Sequence, residues 1–228
     1  MQAQIAIPFG AKRLDAGRLT FDLSATARGI SRLALHRNRP GVQDSNPRSS
    51  ALIGKARREL AEYLSGQRSY FGVPVDLSGL AGFDLSALQV AAAIPYGEVR
   101  TYKSIAEQLG SREASRAVGH AMATNPVPII IPCHRVIKTD GGLGGYLYGL
   151  DVKQELLDLE RSTPPLVGCA STRIVCYRGC PHEKRIKEAG RVSFRSLAEA
   201  EAGGFRPCLI CMQAPAIVAH SRTLNHPQ

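Results

Sequence analysis

The chain has 228 residues, of which 44% are hydrophobic, so it is long enough to bury one ordinary core or two modest ones. It contains no apolar run of the roughly 18 residues that a membrane span needs, and its first residues lack the order of a signal peptide. We therefore expect a globular, cytoplasmic protein of two or three units. The formal charge of +10 favours polyanionic partners such as nucleic acid.

The positive charge is carried by both ends of the chain. Residues 1–82 contain 12 Lys and Arg against 6 Asp and Glu, residues 83–162 contain 8 against 9, and residues 163–228 contain 9 against 4. The middle third is nearly neutral, so an electrostatic grip on nucleic acid would come from its flanks or from local patches.

The N-terminal third has the pattern of a small α+β unit. Alternating apolar and polar residues over 18–24 and 31–36 predict a β-hairpin. A polar loop follows over 37–50, and apolar residues at helical spacing then predict a helix that ends at Gly66. These apolar residues are Leu52, Ala56, Leu60, Tyr63 and Leu64.

The middle of the chain predicts three helices. The first extends from Phe83 to Ala93. Two short helices follow over 101–109 and 114–123, and the tight turn between them contains Gly110. Two helices joined in this way are typical of a helix-turn-helix.

The second short helix has an unusual outward face. Apolar spacing predicts that Ala117, Val118 and Ala121 are buried. The opposite face then consists of Arg112, Arg116, Gly119 and Ala123. With two arginines and otherwise almost no side chain, it could lie close to a DNA groove with one long cation projecting. The alternative is the solvated face of a small helix pair.

Prolines dominate the next segment. Residues 125–137 have proline at positions 126, 128 and 132, which predicts an extended, partly irregular and buried segment. A glycine-rich loop and a final helix over 151–160 follow. The stretch 162–165 marks a boundary before a cysteine-rich tail.

Within the proline-rich segment, Cys133 is followed directly by His134. Neighbouring side chains on an extended strand face opposite sides, so the histidine would activate the thiol through a water or a local turn. An acid elsewhere would hold the imidazole tautomer. Taken alone, the pair favours the simpler interpretation that Cys133 is a small buried apolar residue.

Five longer segments overturn that interpretation. They are IPYGEVRTY (94–102), SRAVGHAMATNP (115–126), VPIIIPCHRVI (127–137), GGLGGY (141–146) and GLDVKQELLDLE (149–160). Together they resemble the O6-alkylguanine-DNA alkyltransferase family, and a weaker likeness over LAEYLSGQ and PVDLSG extends the match to roughly residues 17–160. The resemblance implies a ribonuclease-H-like unit over 1–82 and a winged-helix-like helix-turn-helix domain over 83–162.

The resemblance also implies a reaction. Cys133 would accept the alkyl group of O6-alkylguanine in double-stranded DNA, in an irreversible single-turnover transfer that needs no cofactor. His134 would take the thiol proton through a water, and Glu160 would orient His134. Asn125 would hold the turn around the site. Tyr102 would help rotate the phosphate and donate a proton to the departing guanine.

The same resemblance implies base flipping, because the alkylated oxygen is out of reach within the base stack. Arg116 would fill the space that the base leaves. The implied DNA contacts are Arg116, Tyr102, Arg112, Gly119 and Arg135. The implied pocket lining is Met122, Pro128, Val136, Tyr146 and Leu147. We expect the bulky Tyr148 to restrict which alkyl groups fit, and we interpret Ala87 and Leu88, where the family has Val-Trp, as core changes.

The tail carries a second motif. Cys176 and Cys180 have CxxxC spacing, and Cys208 and Cys211 have CxxC spacing, which suits tetrahedral zinc. A unit of about 60 residues would struggle to fold on so small a core without a metal. Cys169 is either a free thiol or an alternative ligand.

The tail segments RIVCYRGC and VSFRSLAEAEAGGFRPCLIC resemble the zinc-binding domain of the Ada DNA-repair regulator, here over residues 166–215. That domain removes methyl groups from DNA phosphotriesters, which implies Cys176 as a possible second acceptor. The segment before Cys176 is short and poor in aromatic residues, so the phosphotriester pocket could be incomplete.

Two alternatives remain open at this point. The chain could be a non-catalytic damage sensor that flips the lesion and recruits partners, although such proteins replace the acceptor cysteine. The tail could hold zinc for a purely structural or partner-binding role. In either case we expect a monomer.

Overall fold

The computed structural model describes residues 19–37, 50–212 and 217–218. These residues form a mixed α+β fold in which three β-sheets are combined with six α-helices. Within the described ranges, no helix has the length and apolar character needed to cross a membrane.

The first sheet begins with the predicted hairpin. Strands β1 (Leu19–Ala25) and β2 (Ile30–Arg37) pair antiparallel, which confirms that prediction. Strand β3 (Val75–Asp76) pairs parallel to β2 and to β10 (Ile217–Val218). The polar loop predicted over 37–50 lies, except for its two end residues, outside the described residues.

Helix α1 (Ser50–Leu64) confirms the predicted helix, and it packs against this sheet. Leu60 and Tyr63 are fully buried, whereas Leu52 is only half-buried. The apolar face is centred slightly away from the predicted one because Ile53 takes the place of Leu52 in the core.

Four helices form the middle of the chain, and all were predicted. They are α2 (Gly82–Ala92), α3 (Tyr102–Gln108), α4 (Ser115–Ala123) and α5 (Leu150–Ser162). Just before α3, strand β4 (Arg100–Thr101) pairs parallel to β5 (Val136–Ile137). This pairing brings the start of α3 beside the segment that follows Cys133.

A capping box fixes the start of α3. The Thr101 hydroxyl accepts a hydrogen bond from the Ser104 backbone at 3.0 Å, and the Ser104 hydroxyl accepts one from the Thr101 backbone at 3.1 Å. Such reciprocal bonds satisfy two backbone donors that a helix start otherwise leaves unpaired. The capping box therefore fixes the backbone at Tyr102, in the first turn, and with it the direction in which the side chain leaves the helix.

The buried face of α4 differs from the prediction at one position. Val118, Ala121 and Met122 are buried, whereas Ala117 is exposed. The long side chain of Met122 has more apolar surface to remove from water than the methyl group of Ala117, so the helix is rotated towards Met122.

The N-terminal unit and the middle helices share one continuous hydrophobic core, which extends from Leu19 to Leu156. Ala87 and Leu88 are both fully buried within it, which confirms their interpretation as core positions. The two units therefore pack as one body.

The tail forms a separate small sheet in the order β8-β6-β7-β9. Its strands are β6 (Leu166–Cys169), β7 (Ile174–Tyr177), β8 (Arg191–Phe194) and β9 (Arg206–Pro207), and α6 (Leu197–Ala202) follows β8. A cluster of five buried residues forms its core. They are Leu166, Val175, Phe194, Ala200 and Phe205.

The tail unit is fastened to the end of α1 and the loop after it. The Ser69 hydroxyl donates to Pro165 O at 2.6 Å, and the Arg68 guanidinium donates to Gly179 O at 3.2 Å. Lys184 pairs with Glu62 at 2.6 Å. Because Ser69 and Arg68 are buried, these polar contacts hold the two units in a fixed relation.

Candidate functional site

Cys133 begins a single turn of 3-10 helix, Cys133–Arg135, directly after Pro132. The segment is therefore not extended at this point, and the Cys133 backbone donates to Ile131 O at 2.8 Å. Cys133 is 5% exposed, and that small exposed surface lines a cavity. The turn lets the thiol face the cavity while His134 faces the interior.

Asn125 holds the backbone that precedes this turn. Its side-chain amide donates to Ile131 O at 2.9 Å, and its side-chain oxygen accepts from the Val127 backbone at 3.0 Å. Between these anchors, Ile129 is buried with φ of 70°, a strained conformation for a β-branched residue. The two hydrogen bonds of Asn125 stabilise a segment that would otherwise relax.

His134 and Glu160 form a fully buried pair. His134 Nε2 lies 3.0 Å from Glu160 Oε1, and both side chains are 0% exposed. The Gly97 backbone donates to Glu160 Oε2 at 3.1 Å, and Gly97 has φ of 79°, which a residue with a side chain rarely adopts. The other ring nitrogen, His134 Nδ1, is buried and has no hydrogen-bond partner among the described residues.

Arg135 completes this network, and its burial contradicts the expectation that it contacts DNA. It is 7% exposed, and its guanidinium bonds to both oxygens of Glu160, at 2.8 Å to Oε1 and 2.9 Å to Oε2. A further bond reaches Ile94 O at 2.6 Å. A buried carboxylate needs a paired cation, so the guanidinium is committed to Glu160 and does not reach a ligand at the surface.

The electrostatics of the network define which group carries a proton. Burial alone would raise the pKa of Glu160, but Arg135 and His134 outweigh it and hold that pKa well below its usual range. Burial lowers the pKa of His134 below its usual value, although Glu160 opposes the shift. The imidazole is therefore neutral near pH 7, with its hydrogen on Nε2 facing the ionised Glu160 and a lone pair on Nδ1.

Burial also raises the pKa of the Cys133 thiol, and a hydrogen bond from Asn125 and the charge of Lys153 oppose the shift. The resting group is thus a thiol rather than a thiolate. It needs a proton acceptor before it can act as a nucleophile. The neighbouring His134, with its free Nδ1 lone pair, has the right state for that task.

Lys153 is a buried cation that the sequence analysis did not single out. It is 0% exposed, and its ammonium donates to Val136 O at 2.6 Å, Leu143 O at 2.5 Å and Gly145 O at 3.2 Å. Burial lowers its pKa to about 8, and a negative Cys133 would raise it. A signal was available, because Lys153 lies on the buried face of α5 together with Leu156 and Glu160.

We predict that Lys153→Met slows the reaction of Cys133 about tenfold near pH 7 and moves its pH dependence to higher pH. The ammonium favours the thiolate wherever Lys153 is protonated, below about pH 8, so its loss raises the pKa of Cys133. The pH dependence of the single-turnover rate checks this, with Lys187→Met at an exposed position as the matched control. An unchanged pH profile in Lys153→Met would contradict it.

The cavity beside Cys133 has a volume of about 650 Å³. Met122, Tyr146 and Leu147 line it, whereas Pro128 and Val136 do not. Pro128 and Val136 are both buried, and Val136 O accepts the bond from Lys153. Their contact with a bound base therefore stays a prediction.

Tyr148 is also placed differently from the expectation. It is absent from the cavity lining, and its hydroxyl reaches back to Leu33 O of the hairpin at 3.5 Å. Its ring packs edge-on against Tyr146 at 5.9 Å. Tyr148 thus packs behind Tyr146, which lines the cavity.

Tyr102 lies at the mouth of the cavity, and its hydroxyl donates to Gly145 O at 3.5 Å. Gly144 has φ of 69°, and a Cβ there would lie 2.7 Å from the Tyr102 ring, so only glycine fits. Burial raises the pKa of Tyr102, and Cys133 raises it further. The phenol therefore keeps its proton and can donate it.

The outward face of α4 borders the same cavity. Arg116 is exposed and lines the cavity together with Gly119. A Cβ at Gly119 would meet no atom within 4 Å, so the helix surface there is open. Arg112 and Ala123 are also exposed, and Arg112 pairs with Glu107 at 3.5 Å.

The four predicted ligand cysteines come together in the tail unit. The Sγ atoms of Cys176, Cys180, Cys208 and Cys211 all lie within 4.8 Å of one another, and all four residues are buried. Four sulfurs at about 2.3 Å from a tetrahedral ion lie about 3.8 Å apart, so the cluster fits a thiophilic metal. Cys169 lies outside this cluster, where its Sγ contacts the Ser171 hydroxyl at 3.3 Å.

A buried thiol beside a buried histidine, under a cavity bordered by an exposed arginine, is the arrangement expected of a protein class that uses a cysteine nucleophile. Comparison with known proteins agrees. Residues 82–162 match the family described as 6-O-methylguanine DNA methyltransferase, DNA binding domain, and residues 165–213 match the metal binding domain of Ada.

Curated relatives named methylated-DNA--protein-cysteine methyltransferase include one from Mycolicibacterium paratuberculosis, 46% identical over 53% of this chain and 70% of the relative. Another, from Methanosarcina acetivorans, is 45% identical over 53% of this chain and 77% of the relative. The crystal structure of Mycobacterium tuberculosis OGT in complex with DNA is similar with a TM-score of 0.55 and 34% identity, over 62% of this chain and 86% of that one. The chain belongs to the methylated-DNA–protein-cysteine methyltransferase family.

Proposed function

We propose that this protein repairs alkylated DNA by moving the alkyl group of O6-alkylguanine onto Cys133. The observation that carries the proposal is the state of His134, whose Nδ1 is buried and unpartnered among the described residues while Nε2 is held by Glu160. A general base needs this arrangement, in which one nitrogen is oriented by a carboxylate and the other keeps its lone pair.

The reaction follows from these groups. The Cys133 thiol gives its proton to His134 Nδ1 through a water, and the sulfur attacks the alkyl carbon. An S–C bond forms as the C–O6 bond breaks, and Tyr102 donates a proton to a ring nitrogen of the departing guanine. The thioether has no hydrolytic exit, so each molecule acts once.

The proposed DNA contact is the outward face of α4 with Arg116 and Gly119, together with Arg112 just before this helix and Tyr102 at the start of α3. Base flipping would bring the lesion into the cavity, and Arg116 would fill the gap, which offsets part of the few kcal/mol that unstacking costs. Open space at Gly119 and the exposed Arg116 at the cavity edge support this orientation. The α3–α4 pair would then act as a winged-helix-like helix-turn-helix.

The finer architecture is part of the same proposal. We assign residues 1–82 to a ribonuclease-H-like unit, 83–162 to the alkyl-transfer domain and 166–215 to a metal-binding domain. The α+β arrangement of the first sheet with α1 supports the first assignment. The protein would act as a monomer in the cytoplasm, where reducing conditions preserve the cluster of free thiols.

The function is tested with a duplex oligonucleotide that carries O6-methylguanine. After incubation, peptide mass spectrometry should find one added methyl group on the peptide that contains Cys133. An unmodified Cys133 in protein that binds the oligonucleotide would overturn the proposal and favour a damage sensor.

For the tail unit we propose a zinc ion held by Cys176, Cys180, Cys208 and Cys211. The chemistry of four buried thiols supports zinc, and the ion would keep these sulfurs ionised and tie β7 to the segment around Cys211. The cysteines are only 0 to 3% exposed, which favours a structural role over methyl acceptance by Cys176. A duplex with a methyl phosphotriester distinguishes the two, since methylation of Cys176 would assign a second acceptor.

We predict that Cys180→Ser loses the metal and that the tail unit unfolds, because structural zinc contributes on the order of 10 kcal/mol to small domains. The measurements are metal content by mass spectrometry and thermal unfolding. Cys169→Ser is the matched control, since Cys169 lies outside the cluster, and it should keep one zinc per chain. Loss of zinc from Cys169→Ser together with retention in Cys180→Ser would refute the assigned ligand set.

A further inference from the structure

One side chain of helix α1, Tyr63, takes part in the buried hydrogen-bond network around Glu160. Tyr63 is fully buried, and its hydroxyl donates to Glu160 Oε1 at 2.6 Å. The same hydroxyl oxygen lies 3.4 Å from His134 Nε2. Apolar spacing alone places Tyr63 in the core, and this polar contact links the N-terminal unit to the reacting groups across 71 and 97 residues of sequence.

The Tyr63 ring is held on two sides. Its centroid lies 5.4 Å from the Phe71 ring and 6.0 Å from the Tyr96 ring, which it meets nearly edge-on. Close-packed aromatic neighbours leave the phenol little freedom to turn. The hydroxyl is therefore fixed in front of Glu160 before any DNA binds.

We propose that Tyr63 is a positioning residue for alkyl transfer, which holds Glu160 so that His134 keeps its hydrogen on Nε2 and its lone pair on Nδ1. This inference rests on the proposed function. Tyr63 does not touch the ligand cavity, and it acts through Glu160 and His134.

The role follows from how Glu160 Oε1 is shared. That oxygen accepts from Tyr63 at 2.6 Å, from His134 at 3.0 Å and from Arg135 at 2.8 Å. With Tyr63 and Arg135 on either side, the carboxylate cannot rotate away from the imidazole. If the tyrosine hydroxyl is removed, Oε1 gains room to swing, and the orientation of His134 is less well defined.

The Tyr63 hydroxyl also reduces the negative charge that Glu160 presents to His134. A donor on Oε1 draws negative charge away from the imidazole, so its removal strengthens the attraction between Glu160 and a protonated His134. The pKa of His134 then rises, and the base is protonated over a wider acidic range. The charged and titratable groups that surround His134 are Glu160 and Lys153 of α5, Arg135 and Cys133 of its own turn, and Tyr63 of α1.

The test compares Tyr63→Phe with Tyr96→Phe. Both variants lose one buried hydroxyl from touching rings, but the Tyr63 hydroxyl donates to Glu160, whereas the Tyr96 hydroxyl is not bonded to Glu160 or to His134 among the described residues. For Tyr63→Phe, the single-turnover rate on an O6-methylguanine duplex should fall about tenfold near pH 7, and its acidic limb should move to higher pH. Tyr96→Phe should keep the rate and the profile of the wild type.

Nitrogen NMR of the imidazole supplies a readout that needs no transfer. The wild-type protein should show His134 as the Nε2–H tautomer, and Tyr63→Phe should show a mixture. If the wild type transfers methyl but Tyr63→Phe matches it in rate, pH profile and tautomer, the inference fails and the function stands. Equal losses in Tyr96→Phe, or a wild-type His134 with its hydrogen on Nδ1, would also overturn it. Absence of transfer by the wild type contradicts the function instead.

Discussion

Cys133→Ser is expected to abolish methyl transfer from O6-methylguanine while DNA binding stays within about twofold of the wild type. A serine hydroxyl is far less acidic than a thiol, and His134 is too weak a base to ionise it. The single-turnover rate should fall by about 10⁴-fold or more. Because Cys133 is 5% exposed and serine is nearly isosteric, the fold and the face of α4 should not change.

The measurement pairs transfer with binding, each on the same O6-methylguanine duplex. Cys169→Ser carries the same substitution outside the cavity and should transfer normally. This comparison also separates the enzyme from a damage sensor. A Cys133→Ser protein that still removed the methyl group would show that another residue is the acceptor.

Glu160→Gln is expected to slow transfer about 10³-fold to 10⁴-fold, as amide replacement does in related catalytic triads. The glutamine amide would donate to His134 Nε2, so the imidazole would carry its hydrogen on Nδ1 and could not accept the Cys133 proton. The same change leaves Arg135 buried without its counter-charge, at a cost of about 3 to 5 kcal/mol in stability.

Stability against pH gives a second readout for this variant. The pKa of Glu160 in the folded protein lies well below its unfolded value of 4.5, so the carboxylate stabilises the fold above about pH 4.5. That stabilisation is lost as the pH falls through the folded pKa. Glu160→Gln should be less stable near neutral pH and lose less on acidification, whereas Glu155→Gln on the same helix should behave like the wild type. A Glu160→Gln protein with wild-type transfer would exclude the assigned role.

Local patterns were sufficient for most of the elements. The hairpin, the helices and the four-cysteine cluster each depend on residues that are close in sequence or on a short ligand spacing. Such patterns can be recognised from the sequence alone. Ala117 was misplaced because helical spacing defines a stripe but not its centre, which depends on the size of the side chains that meet the core.

The burial of charge could not be predicted from spacing. Arg135 looked like a surface cation beside a reactive cysteine, yet it pairs with Glu160 from a helix 25 residues further on. Lys153 and the polar contact of Tyr63 were missed for the same reason, because their polar atoms meet partners on other elements. The turn at Cys133 was not predicted either, and it decides which side of this segment faces the cavity.

The sequence by itself determined the adjacency of Cys133 and His134, the family likeness and the spacing of the four clustered cysteines, since each is carried by residues close together in the chain. Only the tertiary structure decided the burial of His134 against Glu160, the commitment of Arg135 to Glu160 and the entry of Tyr63 into the network. The physical reason is that a pKa and a tautomer depend on burial and on donors brought from distant parts of the chain. Those quantities exist only once α1, α5 and the Cys133 turn pack together.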